Sequence, residues 1–116
     1  MHRESESERA DIPPGTLHLL ILKTLARGSL HGYAIAQRIK HNSEEVLQVE
    51  EGSLYPALQR MLLKGWVEAE WVQVGPKRRT RVYSLTAGGR HQLDTEVNAF
   101  TRVMQAIVRV IQTAEG

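Results

Sequence analysis

The sequence predicts a mainly α domain with one small β-hairpin, and three observations carry that prediction. Apolar residues recur every three or four positions in several separate stretches. Strand-like alternation on both sides of a turn signal occurs between Val67 and Leu85, and a run free of proline follows from Ala87 to Thr113. Three helices, a hairpin and a long last helix make the order of a winged helix-turn-helix domain with a C-terminal helical extension.

The length of 116 residues, 41% of them hydrophobic, suits one compact domain with a modest core and is too short for two. No cysteine is present, so disulfide frameworks and thiolate metal sites are excluded, and nothing calls for an oxidising compartment. The start lacks the pattern of a secretory signal, and no apolar run approaches the ~20 residues of a membrane span. A soluble, cytoplasmic protein with no membrane partner is the expectation. Formal net charge is +2, but the first eleven residues hold Glu4, Glu6, Glu8 and Asp11 against Arg3 and Arg9, which leaves +4 on the remainder. So small a charge points to a polyanionic partner only if it is clustered.

Residues 1–12 carry no periodic apolar pattern and are expected to form a flexible polar tail. From Thr16 an apolar run predicts a first helix, stopped by Gly28. A helix apolar on nearly every side is buried on two sides. Leu17, Ile21 and Leu25 are expected to pack in their own domain, and Leu19, Leu22 and Ala26 to meet another partner. A second helix is expected over Gly32 to His41, with Tyr33, Ile35, Ala36 and Ile39 buried and the turn Asn42-Ser43-Glu44 at its end.

In the third helix Leu54, Leu58, Met61 and Leu62 form the inward stripe, which leaves Ser53, Tyr55, Pro56, Gln59 and Arg60 free to meet a major groove. Glu50 and Glu51 suit the positive end of its macrodipole, and Pro56 is close enough to the first turn to be tolerated. Gly65 ends the helix, and Val67, Ala69 and Trp71 then alternate with Glu68 and Glu70 as a half-buried strand. Gly75-Pro76 marks a turn, and Arg81 to Leu85 returns as a second strand. Lys77, Arg78, Arg79 and Arg81 are thereby expected at the hairpin tip, where they would neutralise phosphates; Lys64 adds to the same surface.

Thr86 is a good N-cap for a last helix of roughly 40 Å at ~1.5 Å per residue. Leu93, Val97, Phe100, Met104, Ile107 and Ile111 are spaced by four, three, four, three and four, heptad spacing that Val103 and Val110 widen. Each such side chain gains roughly 1.5–3 kcal/mol on full burial, so a bare seam would cost much of a small domain's ~5–15 kcal/mol. A homodimer closed over this seam and the spare row of the first helix is the expectation.

Several separated words in this order, Gly15-Thr16-Leu17, Leu-Ile-Leu-Lys-Thr-Leu over 20–25, His31-Gly32-Tyr33, Glu51-Gly52-Ser53-Leu54-Tyr55-Pro56-Ala57-Leu58, Lys64-Gly65-Trp66, Tyr83-Ser84-Leu85-Thr86 and Gly89, resemble the PadR family of bacterial transcriptional regulators. The resemblance implies a homodimeric winged-helix repressor on double-stranded DNA, the third helix in the major groove and the wing on the backbone or minor groove. The single C-terminal helix resembles the compact branch, and Val-Leu-Gln-Val-Glu-Glu-Gly-Ser-Leu-Tyr-Pro-Ala-Leu and Glu-Ala-Glu-Trp look closest to the PadR-like group abundant in acidobacteria. An aromatic at the place of Phe100 helps compact members form an apolar chamber between subunits for planar effectors. Val97, Phe100 and Met104 are therefore candidates for an effector pocket, with plain seam packing as the other reading.

The resemblance divides the chain into the tail at 1–12, a winged-helix DNA-binding domain at 13–85 and a dimerisation helix at 86–116. His2, His18, His31, His41 and His91 show no close ligand pairing, so no metal or cofactor is expected. There is no phosphate loop after a strand and no nucleophile elbow, so no enzyme is expected either. The rival function is a winged-helix protein-interaction module without specific DNA binding.

Overall fold

The computed structural model describes residues 11–13 and 15–113; residues 1–10 of the expected tail, Pro14 and residues 114–116 lie outside the described residues. The described elements run α1 (Leu17–Leu25), β1 (Leu30–His31), α2 (Gly32–Asn42), α3 (Glu51–Leu63), β2 (Val67–Gly75), β3 (Arg78–Leu85) and α4 (Ala87–Gln112). No described helix is long and apolar enough to cross a membrane.

Helix α1 is the centre of the domain, touched by α2, α3, α4 and β3. Leu19, Ile21, Leu22 and Leu25 are all buried, joined by Ile35 and Ile39 of α2 and by Leu54, Ala57, Leu58 and Met61 of α3. Leu19 and Leu22 therefore need no second molecule, and Ala26 also packs against this core. The all-round apolar character of α1 reflects neighbours from its own domain on most sides. Tyr33, expected in the core, is instead 56% exposed, and its hydroxyl accepts a hydrogen bond from Gln37 Nε2 at 2.6 Å.

His31 caps α2, its Nδ1 accepting from the Ala34 amide. The connection after α2 holds Glu44 and Glu45 at positive φ, steadied by Ser43 Oγ, which accepts from the Leu47 amide. Pro56 is the sixth residue of α3, in the second turn instead of the first, and the helix continues through it to Leu63. Its missing N–H leaves a backbone carbonyl of the preceding turn without its usual donor.

The sheet has three antiparallel strands in the order β1-β3-β2. Strand β1, absent from the sequence reading, pairs Leu30 with Tyr83 and His31 with Val82. The hairpin is longer than the alternation suggested, and only Pro76 and Lys77 lie between its strands, with a register irregularity between Gln73 and Gly75. Arg78, Arg79 and Arg81 are thus strand residues and not loop-tip residues, a correction to the expected clustering.

Thr86 ties α3, the hairpin and α4 together. Its Oγ1 accepts from the Gly89 amide and donates to the Gly65 carbonyl at 2.6 Å, while its amide donates to the Trp66 carbonyl at 3.1 Å. Further along α4, Glu96 pairs with His18 of α1, Nε2 to Oε1 at 2.9 Å, and also accepts from Gln92 Nε2. His18 in turn lies against Trp66, ring centroids 5.7 Å apart. Leu93, assigned to the dimer seam from its spacing, is 7% exposed and belongs to the core of its own chain. Beyond Glu96 the character changes, and every residue from Val97 to Thr113 is exposed.

Candidate nucleic-acid interface

Helix α3 buries Leu54, Ala57, Leu58 and Met61, so its opposite side carries Gly52, Pro56, Gln59 and Leu63 as the outermost ridge. Ser53, Arg60 and Lys64 flank that ridge on one side and Tyr55 on the other. Of the ridge residues only Gln59 has a side chain able to hydrogen-bond a base edge. Leu63, 79% exposed, was missed by sequence reasoning, which ended the inward stripe one residue before it. Ser53, Pro56 and Arg60 line a groove of about 440 Å³ shared with Asp11 to Pro13 and with Gln48 to Glu50.

Tyr55 sits on the first turn of α2. A side chain at Gly32 would bring its Cβ to 2.7 Å from the Tyr55 ring, so the absence of one there admits the phenol. Partial desolvation, then Glu51, then Tyr83 raise the Tyr55 pKa above its ordinary value of 10.0, so the hydroxyl keeps its proton at neutral pH and remains a donor as well as an acceptor. Tyr33 and Gln37 are exposed on neighbouring α2, and Tyr33 was expected in the core because it is an aromatic amid apolar residues.

Tyr83 leads from α3 into the wing. Along β3 it alternates with Val82 and Ser84, and the register sets Arg81 opposite Trp71 and Arg79 opposite Gln73. Arg79, Arg81 and Tyr83 therefore share one face of the hairpin with Trp71, while Arg78 points to the other. The wing cations are split between two faces, and none of Lys77, Arg78, Arg79 and Arg81 makes an ion pair among the described residues. Lys64 stacks over Trp66, 5.2 Å from its ring centroid, so its ammonium is held at the base of the wing.

Leu93 apart, the residues given to the seam lie together on α4. Val97, Phe100, Met104 and Ile107 are 36–44% exposed and Ile111 73%, with Val103, Val108 and Val110 open beside them. The candidate effector residues Val97, Phe100 and Met104 form the part of this stripe nearest the domain.

Residues 21–95 match the Transcriptional regulator PadR-like family. The chain is 29% identical over 99 residues to an uncharacterised protein X of Lysinibacillus sphaericus, covering 85% of this chain and 91% of that one. It is 27% identical over 77 residues to the negative transcriptional regulator PadR of Bacillus subtilis, a stretch equal to 66% of this chain and 42% of that regulator. The crystal structure of Bacillus subtilis PadR in complex with operator DNA is similar with a TM-score of 0.67 at 26% identity, over 73% of this chain and 48% of that one. A transcriptional regulator from Clostridium thermocellum has the same fold, with a TM-score of 0.77 at 21% identity over 84% of this chain and 95% of the other. The family match runs from the middle of α1 into α4, well over half of the chain, and the chain belongs to the PadR-like family of transcriptional regulators.

Proposed function

We propose that the chain is a cytoplasmic transcriptional repressor that binds a pseudo-palindromic operator as a homodimer, α3 of each protomer in successive major grooves about 10 base pairs apart. The observation that carries this reading is continuity. The exposed side of α3 reaches Tyr55, which neighbours the core residue Tyr83 of a hairpin whose cations make no ion pair among the described residues. Base readout falls to Gln59 and Tyr55, with Ser53, Pro56, Arg60 and Lys64 around them; the wing residues Lys77, Arg78, Arg79 and Arg81 serve phosphates. Glu50 and Glu51 repel phosphates and so limit non-specific affinity. Support for DNA as partner comes from the operator complex of Bacillus subtilis PadR, and support for repression from the negative regulation by that relative.

The dimer reading rests on the open stripe from Val97 to Ile111, and a planar apolar effector would enter between Val97, Phe100 and Met104 of the two protomers. A protein-docking role is less well supported, since Ala57 is buried and Tyr55 lies on α2, which leaves Leu63 as the large aliphatic side chain on the outer ridge of α3.

The wing gives the direct test. Replacing Arg78 and Arg79 together by alanine is expected to weaken binding to all sequences alike and to flatten the dependence of log affinity on log salt by about one unit per lost phosphate contact. Titration of labelled DNA at a series of salt concentrations measures both effects. An unchanged slope would remove the wing from the interface.

A further inference from the structure

Trp71 is large, apolar and 56% exposed on the hairpin, which its own core does not explain. Its surroundings do. The Arg79 guanidinium lies 4.9 Å from the Trp71 ring centroid, and the Arg81 guanidinium 5.8 Å from the same ring and 5.9 Å from that of Tyr83. Tyr83 is 5% exposed and anchored in the core, so rings and cations alternate from the core outward as Tyr83, Arg81, Trp71 and Arg79. Arg81 is held by ring packing and not by hydrogen bonding at its inner edge, because its buried Nε has no partner among the described residues.

We propose that Trp71 is a positioning residue of the wing, presenting the Arg79 guanidinium to a DNA phosphate with Arg81 clamped between the two rings as its support. The inference rests on the DNA-binding reading given above. An arginine on an exposed two-stranded ribbon samples many rotamers, and docking it on a phosphate sacrifices that freedom. An aromatic face that already holds the planar guanidinium removes part of the loss and leaves its outer N–H groups free for a phosphate. Indole is the best side chain for this, since cation–π attraction is strongest over its face.

The test compares the full chain with W71A, W71Y, W71L, R79A and W71A/R79A, each titrated with a fluorescent duplex of mixed sequence across a salt series. W71A is expected to weaken binding about two- to fivefold, the loss of one exposed cation–π contact, and to lower the salt slope toward that of R79A. W71Y, which restores an aromatic face, is expected to recover most of the affinity, and W71L, which restores only bulk, is not. The double variant should bind no more weakly than R79A, because a residue acting through Arg79 has nothing left to position. Thermal midpoints within the error of the unaltered protein accompany these results if only positioning is lost. Unaltered affinity and slope in W71A, recovery by W71L, or losses that multiply in the double variant would each overturn the proposal while leaving DNA binding in place. Failure of the unaltered protein to bind the duplex at any salt would overturn both readings.

Discussion

Replacing Phe100 and Ile107 together by glutamate is expected to turn dimers into monomers and to lower operator affinity by on the order of 10²–10⁴-fold, the gain that linking two binding modules can supply. In the single chain Phe100 is 40% and Ile107 44% exposed, and they are seven residues apart on one face of α4. In the proposed dimer, pairing the stripe with its copy would bury side chains worth roughly 1.5–3 kcal/mol each when fully covered, whereas carboxylates facing one another at a two-fold axis would be desolvated without partners. The rest of the protomer does not depend on these positions, since every residue from Val97 to Thr113 is exposed, so helical content measured by circular dichroism should remain close to that of the unaltered chain. Sedimentation equilibrium reads the change in mass. A dimer that survives both substitutions would place the interface elsewhere.

Gly89→Ala is the second large effect. A Cβ at Gly89 would lie 2.0 Å from the Trp66 carbonyl oxygen and 3.0 Å from Leu85 Cδ2, and a backbone carbonyl immediately before β2 cannot swing aside as a side chain would. The N-terminal turn of α4 must then lift away from the place where Thr86 binds Gly65, Trp66 and Gly89. We expect a loss of about 3 kcal/mol, the upper end for overpacking, and a fall in melting temperature on the order of 10 °C. Gly88 is the internal control. Its Cβ would meet the Gly65 carbonyl oxygen and Thr86 Oγ1 at 3.6 Å, ordinary contact, so Gly88→Ala should be neutral or stabilising by up to about 1 kcal/mol through helix propensity. Thermal melts of the two variants check the contrast, and equal behaviour would contradict the packing described for α4.

Which parts of this were legible in the sequence follows from which residues carry a periodic signal. Helices α2 and α3 bury clear stripes, α4 carries one along its length, and the capping role of Thr86 was readable from position and residue type. The direction in which α1 faces was not, because an apolar run on all sides has no phase, and so Leu19 and Leu22 were assigned to a partner that the domain itself supplies. Leu93 was misplaced for a related reason. Heptad spacing runs unbroken across the point near Glu96 where α4 leaves its own domain, and nothing in the spacing marks that point. A two-residue strand such as β1 is too short to show alternation. The outer parts of β2 and β3 are exposed on both faces, so their polar residues looked like a loop, and Arg78, Arg79 and Arg81 were placed at a tip that holds only Pro76 and Lys77. The residue types of the candidate interface were legible all the same, since the outward residues of α3 follow from its buried stripe and the cations do belong to the hairpin, although Arg78, Arg79 and Arg81 lie along β3 and not at its tip. Their arrangement around Trp71 and Tyr83 depends on strand register, which local sequence does not specify.

The measurement that bears most directly on the central claim is binding of the purified protein to a labelled fragment of its own upstream region, against random DNA, across a salt series and with stoichiometry determined. Tight, sequence-specific binding by two protomers per site, with a steep salt slope, is the predicted result. Equally weak binding to both fragments, with no dependence on salt, would contradict it.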